Sequence, residues 1–253
     1  MFSEHPDDPD LVEPHPLSRK SVRKAGSVVR KFHRGECGEA AYQAALETIR
    51  VYRSGFFDPM ETVNEFLRNI GAQVAGNLEV SSRLKKLPTI VNKLAEREST
   101  LDLSLMQDLG GCRVVFENFA QLRSFEQKFR SEFEGSIDHE SDYIVSPRES
   151  GYRGKHLVVI SSEHLIEVQL RTQIMHEWAV NIEDLSTLSR MNLKQDGTHL
   201  VQEFMKYKSR FDAHQEGLGD PLSDEEFDTF TRLKEEATNF LTTLVDRHKE
   251  DNQ

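Results

Sequence analysis

The sequence predicts an α+β fold, and three observations carry that expectation. Helical periodicity fills the first third of the chain. A strand-rich centre follows, with "CRVVFE", "DYIVS", "HLVVIS" and "LIEVQLRT" as short apolar or β-branched runs joined by short connections. Helical spacing then returns to the end. Helices gathered on either side of the strands, rather than alternating with them, point to a sheet flanked by helices. The expected organisation is a disordered acidic leader over 1–17, a domain with its N-terminal helices over 18–190, and a helical extension over 191–253.

The elements follow in order. The leader "MFSEHPDDPDLVEPHP" is acidic and Pro-rich, and is expected to be mobile. Ser18 to Arg34 reads as a helix capped by Ser18 or Ser21. "GEAAYQAALETIRVYR" reads as a second helix, ending before "SGFFDP". Pro59 is expected to open a third, with Met60, Val63, Phe66, Leu67, Ile70 and Val74 at helical period. A short helix follows Pro88. "AQLRSFEQKFRSEF" repeats apolar residues at Leu122, Phe125, Phe129 and Phe133. "IMHEWAVNIEDLSTL" turns Met175, Trp178, Ile182 and Leu185 toward a core. Two amphipathic helices near 199–212 and 224–248 are separated by Gly217, Gly219 and Pro221.

Composition removes several function classes. A net charge of −11 argues against a general nucleic-acid coat. Against that total, Ser18 to Arg34 carries seven Lys/Arg and no acid, which reads as a solvated helix face or a local polyanion dock. Cys37 and Cys112 have no CxxC spacing, so no zinc site is expected, and free thiols suit a cytoplasmic location. There is no run of 18 apolar residues and no signal peptide, so no membrane association is expected. The sequence contains no GxxxxGK[ST], no HExxH and no Gly-x-Ser-x-Gly.

Four places concentrate polar chemistry. As a strand, "LIEVQLRT" sends Ile166, Val168 and Leu170 to one face and Glu167, Gln169 and Arg171 to the other. That second face is either solvated or the wall of a polar site. Asp108 precedes a double Gly and a strand; with Glu167 it can hold Mg²⁺, which favours one or two carboxylates plus substrate phosphates. Arg83, Lys85, Lys86, Lys93 and Arg97 surround the Pro88 helix, either as a phosphate cradle or as a solvated basic face. "SPRESGYRGKHLVV" packs two Gly, Tyr152 and the cations Arg148, Arg153 and Lys155 into one turn, with His156 after them. A flat anionic ligand suits it; an ordinary polar hairpin is the alternative.

In order and spacing, "RLKKLPTIVNKLAER", "QDLGGCRVVF", "DYIVSPRESGYRGKHLVV" and "IEVQLRTQIMHEWAVNIED" resemble the synthetase domain of the RelA/SpoT family, makers of guanosine tetra- and pentaphosphate alarmones. The resemblance spans roughly Ser18 to Glu183 and is nearest to small, synthetase-only members. It implies a nucleotidyltransferase-like mixed sheet flanked by helices. It also implies transfer of the β,γ-diphosphate of ATP to the 3′-hydroxyl of GDP or GTP, with Mg²⁺ as cofactor. Residue by residue, it assigns ATP to Arg83, Lys85, Thr89 and Lys93, the metal to Asp108 and Glu167, and catalysis to these two and Arg113. The acceptor falls to Arg148, Ser150, Tyr152, Arg153, His156, Gln169 and Arg171, with Tyr152 stacking on the base.

The family turn reads "PKxNGYRSxH", and here it is "PRESGYRGKH". Ser150 cannot present the bidentate amide of an Asn. The acceptor therefore stays open between a guanine nucleotide and the 3′-end of tRNA. The tRNA reading would make the chain a toxic relative with an antitoxin protein partner; a non-catalytic nucleotide-binding regulator is the third reading. The C-terminal helices either cover the sheet or join copies in a homo-oligomer.

Overall fold

The computed structural model describes residues 8–76, 78–97, 100–189, 191–193 and 198–250. The described chain divides into two compact units. The first holds the residues up to Val114 with Phe125–Glu140 and His156–Gln169; the second holds Val115–Ser124, Ser141–Lys155 and the chain from Leu170 onward. The architecture is the expected one, a mixed five-stranded sheet flanked by helices, in the order β1-β2-β5-β4-β3.

In the first unit, α1 (Arg19–His33) is capped by the Ser18 hydroxyl, which accepts from the Ser21 N–H. Its apolar stripe of Val22, Ala25 and Val29 is buried. Gly26 completes the stripe because a Cβ there would stand 3.1 Å from the Leu103 Cβ. Helix α2 (Glu39–Ser54) follows. Helix α3 (Phe57–Val74) starts two residues before Pro59, so Pro59 sits inside the first turn, where its missing N–H is not needed. Phe66, Phe129 and Phe133 pack ring to ring, with centroids 4.9–5.8 Å apart. Pro88 opens α4 (Leu87–Asn92), and one π-turn, Lys93–Arg97, continues it.

Both edge strands correct the sequence expectation. β1 (Glu79–Leu84) was not anticipated: "EVSSRL" has polar residues at four of its six positions, which suits an edge and hides a strand. β3 is Ile137–Asp142, not the "DYIVS" segment. Asp142 stops it. Its Oδ1 accepts the N–H groups of Ile144 and Val145, both at 3.1 Å, and turns the apolar Tyr143–Val145 run out of the ladder.

The inner strands β2 (Gly110–Phe116), β4 (Lys155–Ser161) and β5 (His164–Thr172) match the expected runs. Ser162 and Glu163 join β4 to β5 with φ of 46° and 66°. Two left-handed residues make a tight hairpin whose twist matches its strands. On β5, Ile166, Val168 and Leu170 are fully buried, as their alternation requires. Helix α5 (Phe119–Glu132) lies between β2 and β3 in sequence and buries Leu122, Phe125 and Phe129.

In the second unit, α6 (Gln173–Ser189), α7 (Leu200–Gln215) and α8 (Asp224–Glu250) enclose Trp178, Ile182, Val201, Met205 and Ala237. The expected extension from residue 191 thus shares one unit with α6. Trp178 Nε1 donates to the Met205 carbonyl at 2.8 Å, which fixes α6 against α7.

The acidic leader is not free along its whole length. Its first seven residues lie outside the described chain, but Asp8 pairs with Arg53, Asp10 pairs with Arg50 at 2.9 Å, and the Val12 N–H donates to Ser54. Arg53 is 1% exposed, so its charge is expensive without a partner. We expect Asp8→Ala to cost about 1–3 kcal/mol, the range for stranding a buried donor. A lowered urea midpoint checks this.

Candidate active site

Three strands of the first unit converge on one open cavity of about 270 Å³. β1 brings Ser81, Ser82 and Arg83, with Lys85 just beyond its end. Asp108 stands just before β2, which adds Gly111, Cys112 and Arg113, and β5 adds Glu167 and Gln169. Strand alternation explains the last pair: Ile166 and Val168 fill the core, so Glu167 and Gln169 face the opening.

Asp108 is the electrostatic centre of this cavity. Lys85 Nζ donates to its Oδ2 at 2.8 Å, and Lys93 Nζ reaches both oxygens at 3.2 Å. Burial pushes the Asp108 carboxyl up, but the two ammonium groups outweigh burial and hold it below the usual carboxylate range. Glu167 behaves in the same way. Burial raises it; His156, at 2.9 Å from Nδ1 to Oε1, and Gln169, donating to Oε2 at 2.6 Å, lower it further than burial raises it. The Asp108 charge opposes this ionisation, as expected of two carboxylates on one cavity. Both are therefore held ionised.

Within the first unit the structure brings together Arg83, Lys85, Lys93, Asp108, Arg113, Glu167, Gln169 and His156. Thr89 is exposed on the first turn of α4 and is not among the lining residues. Gln169 and His156, expected on the acceptor, both hydrogen-bond to Glu167. Ser81, Ser82, Gly111 and Cys112 line the cavity without having been anticipated, because the strand that would have placed the two serines was missed. Ser82 is held from behind by Glu61, which accepts its hydroxyl at 2.6 Å.

The Gly-rich turn belongs to the second unit. Its neck is closed by the Tyr143 N–H on the Gly154 carbonyl at 3.0 Å, and inside it the Gly151 N–H donates to Arg148 O at 2.8 Å. The Tyr152 ring lies in a cage of cations and aromatics. The Arg171 guanidinium is 5.1 Å from its centroid and donates from Nε to its hydroxyl at 3.2 Å. Tyr143 and Trp178 meet it edge-on at 5.8 and 6.3 Å. Gly154 makes the fit possible: at φ +158, a Cβ would stand 2.9 Å from the Tyr152 hydroxyl oxygen. Arg148 is exposed and lies 4.4 Å over Tyr143 and 5.7 Å over Tyr152.

Three residues of this turn have duties the sequence did not show. Ser150 is 6% exposed, so its side chain faces inward. Arg153 is committed to the protein, donating from Nε to Ser209 Oγ at 3.2 Å and from Nη1 to Ile144 O at 3.0 Å. Burial lowers its pKa from the usual guanidinium value. Lys155 is 5% exposed and pairs with Asp142 at 3.1 Å. Burial pushes the Asp142 carboxyl up, but the Val145 and Ile144 amides and Lys155 bring it below its ordinary 3.8.

Residues 82–186 match the family described as the region found in RelA / SpoT proteins. Over that region the chain is similar to RelA/SpoT proteins. Among curated relatives it is 27% identical over 142 residues to GTP pyrophosphokinase YjbM of Bacillus subtilis, covering 53% of this chain and 67% of the relative. It is 35% identical over 98 residues to the probable GTP diphosphokinase RSH3, chloroplastic, of Oryza sativa subsp. japonica, covering 38% of this chain but 14% of that much longer protein. Among solved structures, small alarmone synthetase 1 from Bacillus subtilis bound to its product pppGpp aligns with a TM-score of 0.57 at 22% identity, covering 64% of this chain and 89% of that one.

A carboxyl depressed by folding stabilises the native state above its unfolded pKa and stops doing so as pH falls through its folded pKa. The stability advantage of wild type over Asp142→Asn should therefore be constant well above the ordinary carboxylate value of 3.8 and shrink as pH falls below it. Urea unfolding across that range checks it; a pH-independent gap would refute the ion pair's role.

Proposed function

We propose that this chain is an ATP-dependent pyrophosphokinase. It moves the β,γ-diphosphate of ATP to the 3′-hydroxyl of GDP or GTP and releases AMP. One observation carries the reading: two carboxylates held ionised on one cavity, ringed by Arg83, Lys85, Lys93 and Arg113. Such a site suits phosphates and a hard cation. Relatives bearing the name GTP pyrophosphokinase, and the family match over residues 82–186, support the same reaction.

Diphosphoryl transfer asks the protein for positioning and charge stabilisation more than for covalent chemistry. Lys85 and Lys93 now share Asp108, and entering phosphates offer them a second anion. Arg83, exposed at the cavity rim, is assigned to the adenine and Arg113 to the transferring group. The donor set fits Mg²⁺, an oxygen-seeking ion that takes one or two carboxylates and completes its shell from phosphates and water. Asp108 and Glu167 would hold it, and when bound it neutralises charge building on the phosphates. The depressed pKa of Glu167 suits holding a cation or accepting a hydroxyl's hydrogen bond, rather than storing a proton. His156 and Gln169 keep its two oxygens aimed; the 2.9 Å contact requires the His156 proton on Nδ1.

In the second unit, Tyr152 and Arg148 are assigned to the acceptor base, where stacking contributes about 1–3 kcal/mol. Arg171 holds the Tyr152 hydroxyl, and Arg153 holds the turn. Since Ser150 turns inward, recognition of a guanine edge falls to other groups. A second reading, transfer to the 3′-end of tRNA, draws on the exposed Lys20, Lys24 and Lys31, which recur along one stripe of α1.

The test supplies ATP labelled in its terminal phosphates, Mg²⁺, and GDP, GTP or deacylated tRNA in turn. Label on GDP or GTP is the expected result. Label on tRNA alone would establish the second reading, and no transfer to any acceptor would leave a nucleotide-binding module. Glu167→Gln should slow transfer at least about 100-fold, the scale of one lost electrostatic contact at a reacting centre, with unchanged circular dichroism. Tyr152→Ala should raise the acceptor KM about tenfold or more; an unchanged KM would return the ring to the core.

A further inference from the structure

Helix α7 lies wholly beyond the family-matched residues 82–186, yet it is built into the Gly-rich turn. Gly151 has φ +91, a conformation L side chains avoid, and a Cβ there would meet Lys206 Cα at 3.1 Å, Ser209 Cβ at 3.2 Å and Met205 O at 3.3 Å. The backbone of the turn therefore lies directly on α7. At that contact Ser209 is 4% exposed. Its hydroxyl donates to the Gly151 carbonyl at 2.5 Å and accepts from Arg153 Nε at 3.2 Å. One hydroxyl thus bridges the residues immediately before and after Tyr152. A serine oxygen has one proton to give and two lone pairs, so both bonds are chemically consistent.

That geometry has a consequence for the ring between them. With the Gly151 carbonyl and the Arg153 guanidinium tied to one oxygen, and the Tyr152 carbonyl accepting from the Arg148 N–H at 3.2 Å, the backbone of Tyr152 is held on both sides and its ring direction follows. Trp178 supports the clamp, since its indole N–H holds the α7 backbone at Met205 O while its ring meets Tyr152 edge-on. Removing the hydroxyl strands a carbonyl and a guanidinium N–H where little water reaches, and the turn must move to satisfy them.

We propose that Ser209 is a positioning residue: it sets the direction of the Tyr152 ring and, through it, the affinity for the acceptor base. The proposal rests on the reading of this turn as the acceptor site. It gives α7 a role in choosing the acceptor that no residue within the family region reveals.

The experiment uses the full chain, with Ser209→Ala to remove the hydroxyl and Ser209→Thr to retain it. GDP and ATP are varied separately in the transfer assay, and GDP is also titrated against the emission of Trp178, the only tryptophan. Ser209→Ala should raise both the GDP KM and the GDP dissociation constant about tenfold, the scale of one buried hydrogen bond to a charged group, and leave the ATP KM within about twofold. Ser209→Thr should stay near wild type. If GDP affinity is unchanged in Ser209→Ala, or if the GDP and ATP constants rise together, the proposal fails. Should the wild-type chain neither bind nor modify GDP, the pyrophosphokinase reading fails by itself. Amide hydrogen exchange at Gly151, Tyr152 and Arg153 then decides on Ser209. Exchange about tenfold faster in Ser209→Ala, but not in Ser209→Thr, sustains the clamp, and equal exchange overturns it.

Discussion

A carboxylate taken out of water must be paired, and in this protein Asp108 is paired twice, by Lys85 and Lys93. Much of the first unit follows from that constraint. Lys85 comes from the end of β1 and Lys93 from the turn after α4, so the two salt bridges draw both segments to the start of β2. The Lys85 N–H donates to the Leu109 carbonyl at 2.8 Å and keeps β1 in step with β2. The Lys85 carbonyl accepts from Arg53 Nε at 2.7 Å, and Arg53 is in turn neutralised by Asp8. Two ion pairs, Asp8 with Arg53 and Lys85 with Asp108, are thus joined through the Lys85 backbone carbonyl, from the leader to the cavity. Such pairs add little net stability, but losing Asp8 leaves the buried Arg53 without its counter-charge, and losing Asp108 leaves two ammonium groups facing each other. Their more useful effect is to hold two ammonium groups and an ionised carboxylate at fixed places.

The second unit solves a similar problem on a smaller scale. Lys155 is buried and takes its counter-charge from Asp142, which also ends β3 and turns the following backbone. One carboxylate therefore serves as strand stop, turn cap and counter-ion. Arg153 and Arg171 are drawn into the same fabric, one by Ser209 and one by Tyr152. The turn is an ordered surface carrying an aromatic ring, with the exposed Arg148 as its outermost cation.

How much of this was legible in the sequence depends on the range of the interaction that decides each feature. Local periodicity was enough for the helices and for the inner strands. Alternation along β5 placed Glu167 and Gln169 on the polar side, and the structure puts both on the cavity. The same alternation put Arg171 with them, but it is buried against Tyr152, because a long side chain follows the partner available to it. The edge strands were illegible for a physical reason. An edge needs few apolar residues, so "EVSSRL" and "IDHESD" carry almost no period-two signal, whereas "DYIVS" carries one that an Asx turn overrides. Contacts between residues distant in sequence were beyond reach: Arg53 on the Lys85 carbonyl, His156 on Glu167, and Ser209 on a turn 58 positions earlier.

The central claim is that a cavity of paired lysines and ionised carboxylates transfers a diphosphate as a unit. It is tested most directly by following the adenine nucleotide, not the acceptor. With ATP, Mg²⁺ and GDP, phosphorus NMR should show AMP appearing in equal amount with a guanosine nucleotide carrying a new 3′-diphosphate. ADP appearing in place of AMP, with a single phosphate moved or released, would contradict the account.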